Sequence, residues 1–194
     1  MKLKTLKLLA MAASFSAVGV ASFANEAQIK LLTFTYMDTR VSAWIEDDAL
    51  LATVRAANEA RAGLSDDDVL ALDQSWRDGD QSVIAPVMDG EASALLKALC
   101  DGSRGVVTEL ILMDALGLNV GQCGPSSDFW QGDEAKHQET YLEGPDAIFV
   151  DQIERDDSTG RDQLQASITV TDPETGEAIG ALTVGLDAEF LLEE

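Results

Sequence analysis

The chain has 194 residues, of which 13 are lysine or arginine and 35 are aspartate or glutamate, so its formal net charge is -22. A pI near 4.1 excludes nucleic acid as a partner, because a phosphate backbone requires a basic surface that this chain lacks. One histidine and two cysteines leave little material for a zinc site or a histidine-based catalytic triad. With 46% hydrophobic residues, the chain has enough apolar material for one ordinary domain with a core.

The first 24 residues have the pattern of a secretory signal peptide. Three lysines stand among the first seven residues, an apolar stretch follows to about Val20, and small residues at Ser22 and Ala24 precede polar Asn25. The alternative is an uncleaved anchor helix, but the apolar stretch is short and ends at a good cleavage site, which favours cleavage after Ala24. Cleavage removes three lysines and no acidic residue, which changes the net charge to -25. We therefore expect a soluble, exported protein, periplasmic or secreted, with one domain over residues 25–194.

The first part of that domain, about residues 26–100, is predicted to be helical. Apolar residues recur at helical spacing from Glu26 to about Arg61, and Ser65 with the three aspartates after it is typical of an N-cap and first turn. The aspartates could also be taken for a cation site, but the cap explains them without a ligand. The segment 81–90 around Pro86 is predicted to be a loop, and 91–100 a short helix.

The second part, about residues 104–190, changes to the alternation of apolar and polar residues that is typical of strands. Five antiparallel strands are predicted, with a loop and a helix inserted over 128–142. The strands are 106–114, 118–123, 147–154, 164–171 and 178–186. Helices first and strands afterwards indicate an α+β fold, with the N-terminal helices covering one face of a five-stranded antiparallel sheet.

Cys100 and Cys123 form the one cysteine pair of an exported chain, which favours a disulfide. It would close a loop of about 22 residues and stabilise the fold by about 3 kcal/mol. Two separate buried thiols are the alternative, because sequence does not give the distance between the two Cα atoms.

The chain offers no support for catalysis. It has no nucleophile elbow, no glycine-rich phosphate loop and no metal-ligand spacing. The acidic segment from Asp172 to Glu177 lacks calcium-loop spacing and is typical of a hairpin turn. We therefore expect no enzyme activity, no cofactor and no metal.

The second half of the chain resembles an extracellular Cache sensor domain, the PAS-like ligand-binding module of bacterial chemoreceptors and sensor kinases. The order of its pieces carries the resemblance over about residues 91–190. These pieces are Met113–Gly117, Ser127–Lys136, Asp157–Gly160, Gln165–Val170 and Gly176–Val184. The long N-terminal helix before a PAS-like sheet is also similar to the family.

The resemblance implies a pocket on one face of the sheet, roofed by the loop and helix after the first hairpin. It implies a small polar metabolite as ligand, a carboxylate or an amine, and a signal passed to a membrane receptor or transporter. The amino-acid-binding variant of the family has an Arg before its loop Trp and an Asp late in the last strand. Here those places hold Gly124–Phe129 and Gly185. The chain also has no transmembrane output segment, so we expect a free-standing form.

The candidate ligand-binding residues are those that the resemblance places in the roof or on the pocket face. They are Asp128, Trp130, Asp133, Tyr141, Phe149, Asp151 and Ser167. The roof residues have alternative roles: Trp130 could be a packing anchor for the loop, and Asp128, Asp133 or Tyr141 could cap the roof helix. For Phe149, Asp151 and Ser167, the strand register decides which residue of each neighbouring pair faces the pocket. Lys136 and His137 are expected on the surface.

Two functions follow from these observations. The first is an exported, non-catalytic sensor-type protein that binds a small molecule in the pocket. The second is a structural or interaction protein with a filled pocket, which acts through its surface or as a homodimer through the N-terminal helix. An open cavity with converging polar groups would favour the first.

Overall fold

The computed structural model describes residues 17–156 and 161–193. Seven helical segments precede the sheet, in the order α1 Ala17–Tyr36, a π-helical turn Met37–Val41, α2 Ser42–Ile45, α3 Asp48–Arg61, α4 Asp66–Arg77, α5 Gln81–Met88 and α6 Glu91–Gly102. Most of the predicted signal peptide, residues 1–16, lies outside the described residues, and cleavage after Ala24 stays a prediction. Within the described ranges, no helix has the length and apolar character needed to cross a membrane.

Side-chain caps define where several of these helices begin. The Ser65 side chain accepts from the Asp68 N–H while the Asp68 carboxylate accepts from the Ser65 N–H, so the predicted cap is confirmed as a reciprocal capping box. The prediction of a loop at 81–90 is wrong, because these residues form α5 with Pro86 inside it. The Asp80 side chain caps this helix, and Val87 is buried in a cluster with Trp76, so capping and packing outweigh the proline.

The remaining elements form the sheet and two short helices. They are β1 Val107–Asp114, β2 Asn119–Gln122, α7 Ala135–Gln138, β3 Ile148–Val150, β4 Glu154–Asp156, β5 Arg161–Thr171, β6 Ala178–Asp187 and α8 Ala188–Leu191. All pairings are antiparallel in the order β2-β1-β6-β5-β3, and β4 also pairs with β5. The α+β class is confirmed.

The sheet has six strands rather than the five expected. The predicted strand at 147–154 is interrupted at 151–153, and its two pieces, β3 and β4, pair with successive parts of β5. The predicted turn between β4 and β5 falls on residues 157–160, which lie outside the described residues.

The sheet separates the apolar core from a more polar face. Successive side chains of a strand point to opposite faces, and on β5 Leu164, Ala166, Ile168 and Val170 join the core that packs under the helices. The opposite face, called the far face, carries the alternate side chains of four strands. Its residues are Glu109, Ile111, Met113, Phe149, Gln165, Ser167, Thr183 and Gly185.

The predicted disulfide between Cys100 and Cys123 is confirmed, with the two Cα atoms 6.5 Å apart. It joins the C-terminal part of α6 to the residue after β2. Because the chain from Cys123 onward forms the roof described next, the bond fixes one end of that roof to the helical layer.

Candidate ligand-binding site

One half of the far face is covered by the segment 123–147, called the roof, which includes α7. His137 is 3% exposed and stacks on Tyr141, with ring centroids 5.1 Å apart. Tyr141 packs against Ile111 and Met113 of β1. This half of the face is therefore filled by side chains.

The other half holds an open cavity of about 850 Å³ at the edge of the roof. Its polar lining residues converge from three strands, from the roof and from the segment between β3 and β4. They include Glu109, Glu134, Lys136, Asp151, Gln163 and Gln165.

Glu109, Gly185 and Gln165 form a row across the cavity floor. Glu109 of β1 is directly opposite Gly185 of β6, and Gly185 is directly opposite Gln165 of β5. Gln165 Nε2 donates to Glu109 Oε2 over 3.0 Å. A Cβ added at Gly185 would lie 2.9 Å from the Cβ of Glu109, so the missing side chain is what lets the two outer residues meet above the middle strand.

The charges of the described lining favour a cationic ligand. Four lining residues are acidic and two are basic. Lys136 Nζ is already 3.1 Å from Glu134 Oε2 and donates to Gln131 Oε1 over 3.1 Å. Arg155 is 63% exposed and pairs with Asp162. The Glu109 carboxylate is left facing the cavity with a neutral amide as its hydrogen-bond donor.

Burial also changes the acidity of this carboxyl group. It raises the pKa of Glu109 above its ordinary value, while the charge of Lys136 and the hydrogen bond from Gln165 act in the opposite direction. A cation in the cavity would favour the ionised form of Glu109 and so bring its pKa down again. Binding of a cation there would therefore be coupled to release of a proton from Glu109.

Of the seven predicted ligand-binding residues, Asp151 is among the described lining residues of the cavity. Phe149 and Ser167 lie on the far face as partners in the β3–β5 ladder. Ser167 is fully buried, with its Oγ 2.9 Å from Thr183 Oγ1. Tyr141 belongs to the filled half of the face.

The other three predicted residues lie in the roof, away from the described cavity lining. Asp128 accepts from Gln131 Nε2 over 2.6 Å, and Asp133 is exposed. Trp130 Nε1 donates to the Leu116 carbonyl over 2.9 Å, and its ring packs on a satellite core cluster. The Trp130 contacts are those of a packing anchor for the loop, the alternative that the sequence left open for this residue.

The roof is held to the helices by an arrangement that the sequence did not reveal. Arg61 of α3 donates to the buried Asp114 carboxylate over 2.6 Å, and its guanidinium lies 5.2 Å from the ring centroid of Phe129. Asp73 of α4 accepts from the Phe129 N–H over 2.8 Å and from the Trp130 N–H over 3.1 Å. We call Arg61, Asp114 and Phe129 the hairpin anchor.

The expectation that Lys136 and His137 are surface residues is wrong. The Lys136 side chain is only 11% exposed and His137 is 3% exposed. The reason is the position of α7, which lies on β5 and β6 and so turns these side chains toward the sheet.

Buried His137 is expected to make the fold less stable in mild acid. Its Nε2 lies 3.2 Å from the Asp114 carbonyl oxygen, its Nδ1 has no partner among the described residues, and burial lowers its pKa. Below about pH 6.5 the unfolded chain takes up a proton that the folded chain resists, so stability falls as pH decreases.

The check is the melting temperature of wild type and of His137→Gln between pH 7.5 and 5. We expect the wild type to lose more stability than the variant over this range. Equal losses in the two proteins would contradict the role given to His137.

Glu109 and Gln165 of the cavity floor were missed by sequence reasoning, and so was the lining residue Gln163. A signal for Glu109 was present, since it is the one charged residue inside the apolar run 106–113. Gln165 is simply the polar residue between Leu164 and Ala166 in the alternating pattern of a strand. Only the register of three strands brings these two residues together.

No protein-family model and no curated protein matches the chain. Among solved structures it is similar to the sensor domain of the V. cholerae histidine kinase DctB, with 12% identity and a TM-score of 0.48 over 91% of this chain and 58% of that one. It is also similar to the ligand-binding domain of the Campylobacter jejuni chemoreceptor Tlp3 in complex with 4-methylisoleucine, with 16% identity and a TM-score of 0.41 over 93% and 64% of the two chains.

A third similar structure is the ligand-binding domain of the Pseudomonas aeruginosa PAO1 amino acid chemoreceptor PctC in complex with GABA, with 13% identity and a TM-score of 0.42 over 91% and 62% of the two chains. The chain therefore spans about six tenths of the length of these structures. Their ligands are not carried over to this chain at such identities. All three are described as sensor or ligand-binding domains.

Proposed function

We propose that this protein is an exported, non-catalytic sensor domain that binds a small amine in the far-face cavity and passes the signal to a membrane partner. The observation that carries the proposal is the open, polar cavity beside a filled roof. A purely structural role would need no such cavity, and converging polar groups around an open volume are typical of ligand sites.

We prefer an amine as the ligand because the basic and acidic side chains of the cavity differ in whether they already have an ion-pair partner. The basic side chains of the cavity already have carboxylate partners, Lys136 with Glu134 and Arg155 with Asp162. Glu109 has no basic partner within ion-pair distance in the described part of the chain. An ammonium group would supply that partner, and a hydrogen bond to a charged group is among the stronger ones.

An amine that also carries a carboxylate fits the cavity less well. Such a ligand needs a guanidinium or ammonium that is free to pair with it, and Lys136 would have to leave Glu134 to do so. The segment before Trp130 supplies no arginine, and the late position of β6 is Gly185. A simple amine therefore suits this lining better than an α-amino acid.

Export is supported by two independent features. The first 24 residues have the signal-peptide pattern described above, and the Cys100–Cys123 disulfide is the kind of bond that persists in an oxidising compartment. A membrane partner is the route by which an exported binding protein reports on its ligand.

The test is a thermal-shift comparison of three ligands with the same four-carbon chain and different charge. We expect 1,4-diaminobutane to raise the melting temperature, 4-aminobutyrate to raise it less, and succinate to leave it unchanged. A ligand at 100 times its Kd stabilises by about 2.7 kcal/mol, which is about 5 to 10 °C for a domain of this size.

Ionic strength and pH must be the same in the three titrations, so that screening of the acidic surface does not differ. A shift with succinate and none with 1,4-diaminobutane would reject an amine as the ligand. It would indicate a protein that binds anions instead. No shift with any of the three would favour the interaction protein.

A further inference from the structure

The floor of the far-face cavity continues past Gln165 to a second carboxylate, that of Asp151. The Asp151 N–H donates to the Gln165 carbonyl over 2.9 Å. Asp151 therefore continues the register of the β3–β5 ladder, in which Phe149 lies opposite Ser167. Alternation turns the Asp151 side chain to the same face as those of Phe149 and Gln165, and Asp151 is among the described lining residues of the cavity.

Four neighbouring positions therefore form one row across the sheet. In order they are Glu109 of β1, Gly185 of β6, Gln165 of β5 and Asp151 after β3. A carboxylate stands at each end of the row, and the middle of the row holds a glycine and a neutral amide. Gly185 has no side chain, so the middle of the row stays open to the cavity, which Gly185 itself lines.

The spacing of the strands sets the distance between the two carboxylates. Neighbouring strands of a sheet lie about 4.8 Å apart, and the Glu109 side chain already reaches over β6 to Gln165, with 3.0 Å between Oε2 and Nε2. Two strand spacings, about 10 Å, then separate the Glu109 carboxylate from the Asp151 backbone. Two hydrogen bonds of about 3 Å take up more than half of this distance, which leaves room for a short chain of methylene groups.

Asp151, like Glu109, lines the cavity without a basic partner in the described part of the chain. Its Oδ1 accepts from the N–H of the next residue, Gln152, over 2.7 Å, and no described lysine or arginine lies within ion-pair distance of its carboxylate. The two basic residues of the described lining have carboxylate partners elsewhere. A ligand with one ammonium group would therefore supply a partner to only one end of the row.

We propose, on the basis of the amine site proposed above, that the ligand is a short linear diamine bound at both ends. One ammonium group pairs with Glu109 and the other with Asp151, and the methylene chain between them lies over Gly185 and Gln165. Asp151 is then the residue that selects a diamine over a monoamine of the same length, because the second ion pair forms only with a second cation.

The experiment is isothermal titration calorimetry of the full chain with 1,4-diaminobutane and with 1-aminobutane, which has the same carbon chain and one ammonium group. We expect the wild type to bind the diamine about tenfold more tightly, the typical effect of one charge-assisted hydrogen bond. Asp151→Asn should remove this difference, because it weakens binding of the diamine and leaves that of 1-aminobutane unchanged. Asparagine can still accept from the Gln152 N–H, so the backbone at this position should keep its conformation.

Glu154→Gln is the matched control, because Glu154 is an exposed acidic residue of the same lining that lies outside the row. It removes the same charge, so it measures the general attraction of a doubly charged ligand to an acidic protein, and it should keep the preference for the diamine. Equal affinity of the wild type for the two amines, an equal effect of Asp151→Asn on both, or an equal loss in Glu154→Gln would overturn the diamine and leave the amine site in place. Binding of neither amine by the wild type would reject the amine site and the diamine with it.

Discussion

Replacing Asp114 with alanine is expected to destabilise the fold by about 3 to 5 kcal/mol, the usual cost of removing one member of a buried ion pair. For a domain of this size the melting temperature should fall by about 6 to 20 °C. Asp114 is fully buried and is the central residue of the hairpin anchor. Its Oδ2 accepts from Arg61, and its Oδ1 accepts from the Leu116 and Leu118 N–H groups that form the β1–β2 turn.

In the Asp114→Ala variant, three donors lose this acceptor. They are the Arg61 guanidinium, which is 20% exposed, and the N–H groups of Leu116 and Leu118. Asp114→Asn separates the two losses, because an amide oxygen can still accept from the turn but carries no charge. We expect Asp114→Asn to be intermediate. Asp162→Ala is the control, since its exposed ion pair with Arg155 should contribute less than about 1 kcal/mol.

Denaturant unfolding of the four proteins measures these differences. A loss of stability in Asp114→Ala no larger than that in Asp162→Ala would contradict the hairpin anchor. The anchor matters for function because it fixes the turn from which the roof continues.

Replacing Glu109 with glutamine is expected to weaken binding of 1,4-diaminobutane by about 30- to 160-fold, equivalent to about 2 to 3 kcal/mol for a charge-assisted hydrogen bond in a partly buried site. Glutamine keeps the shape of the side chain and its carbonyl can accept from Gln165, so the floor of the cavity is preserved. Only the charge that faces the ligand is removed.

The pH dependence of diamine binding is a second measure of the contribution of Glu109. Because the pKa of Glu109 is raised and the cation binds the ionised form, affinity should be full above this pKa and should fall as the pH decreases through it. Isothermal titration calorimetry measures both effects on wild type and Glu109→Gln, and on Glu154→Gln, which removes the charge of an exposed residue of the same cavity lining. A Glu109→Gln variant that binds like the wild type, or an affinity that increases in acid, would contradict the proposed role.

Much of the sheet could be predicted because alternation of apolar and polar residues is a local pattern. It gave β1, β2 and β6 to within about one residue and β5 to within about three, and Ser65 gave the start of α4 through its cap. The helix α5 was missed because Pro86 is a strong local signal against helix, and the packing of Val87 on Trp76 is not visible in the sequence.

The site was harder to predict because its contacts join distant parts of the chain. Gln165 and Glu109 are 56 residues apart, and they meet only when β1 and β5 flank β6 with Gly185 between them. Asp151 was named because it lies on the predicted strand 147–154, whose alternate residues were expected to face the pocket, and it is among the described lining residues. Lys136 and His137 were misplaced because a helix of four residues is too short to show which side faces the sheet.

The most direct test of the central claim is the crystal structure of the protein grown with 1,4-diaminobutane at neutral pH. We expect the diamine in the far-face cavity, with one ammonium nitrogen about 2.7 to 3.2 Å from a Glu109 carboxylate oxygen, the distance of a hydrogen bond. A diamine bound elsewhere, or a far-face cavity that holds only water at saturating diamine, would contradict the amine site.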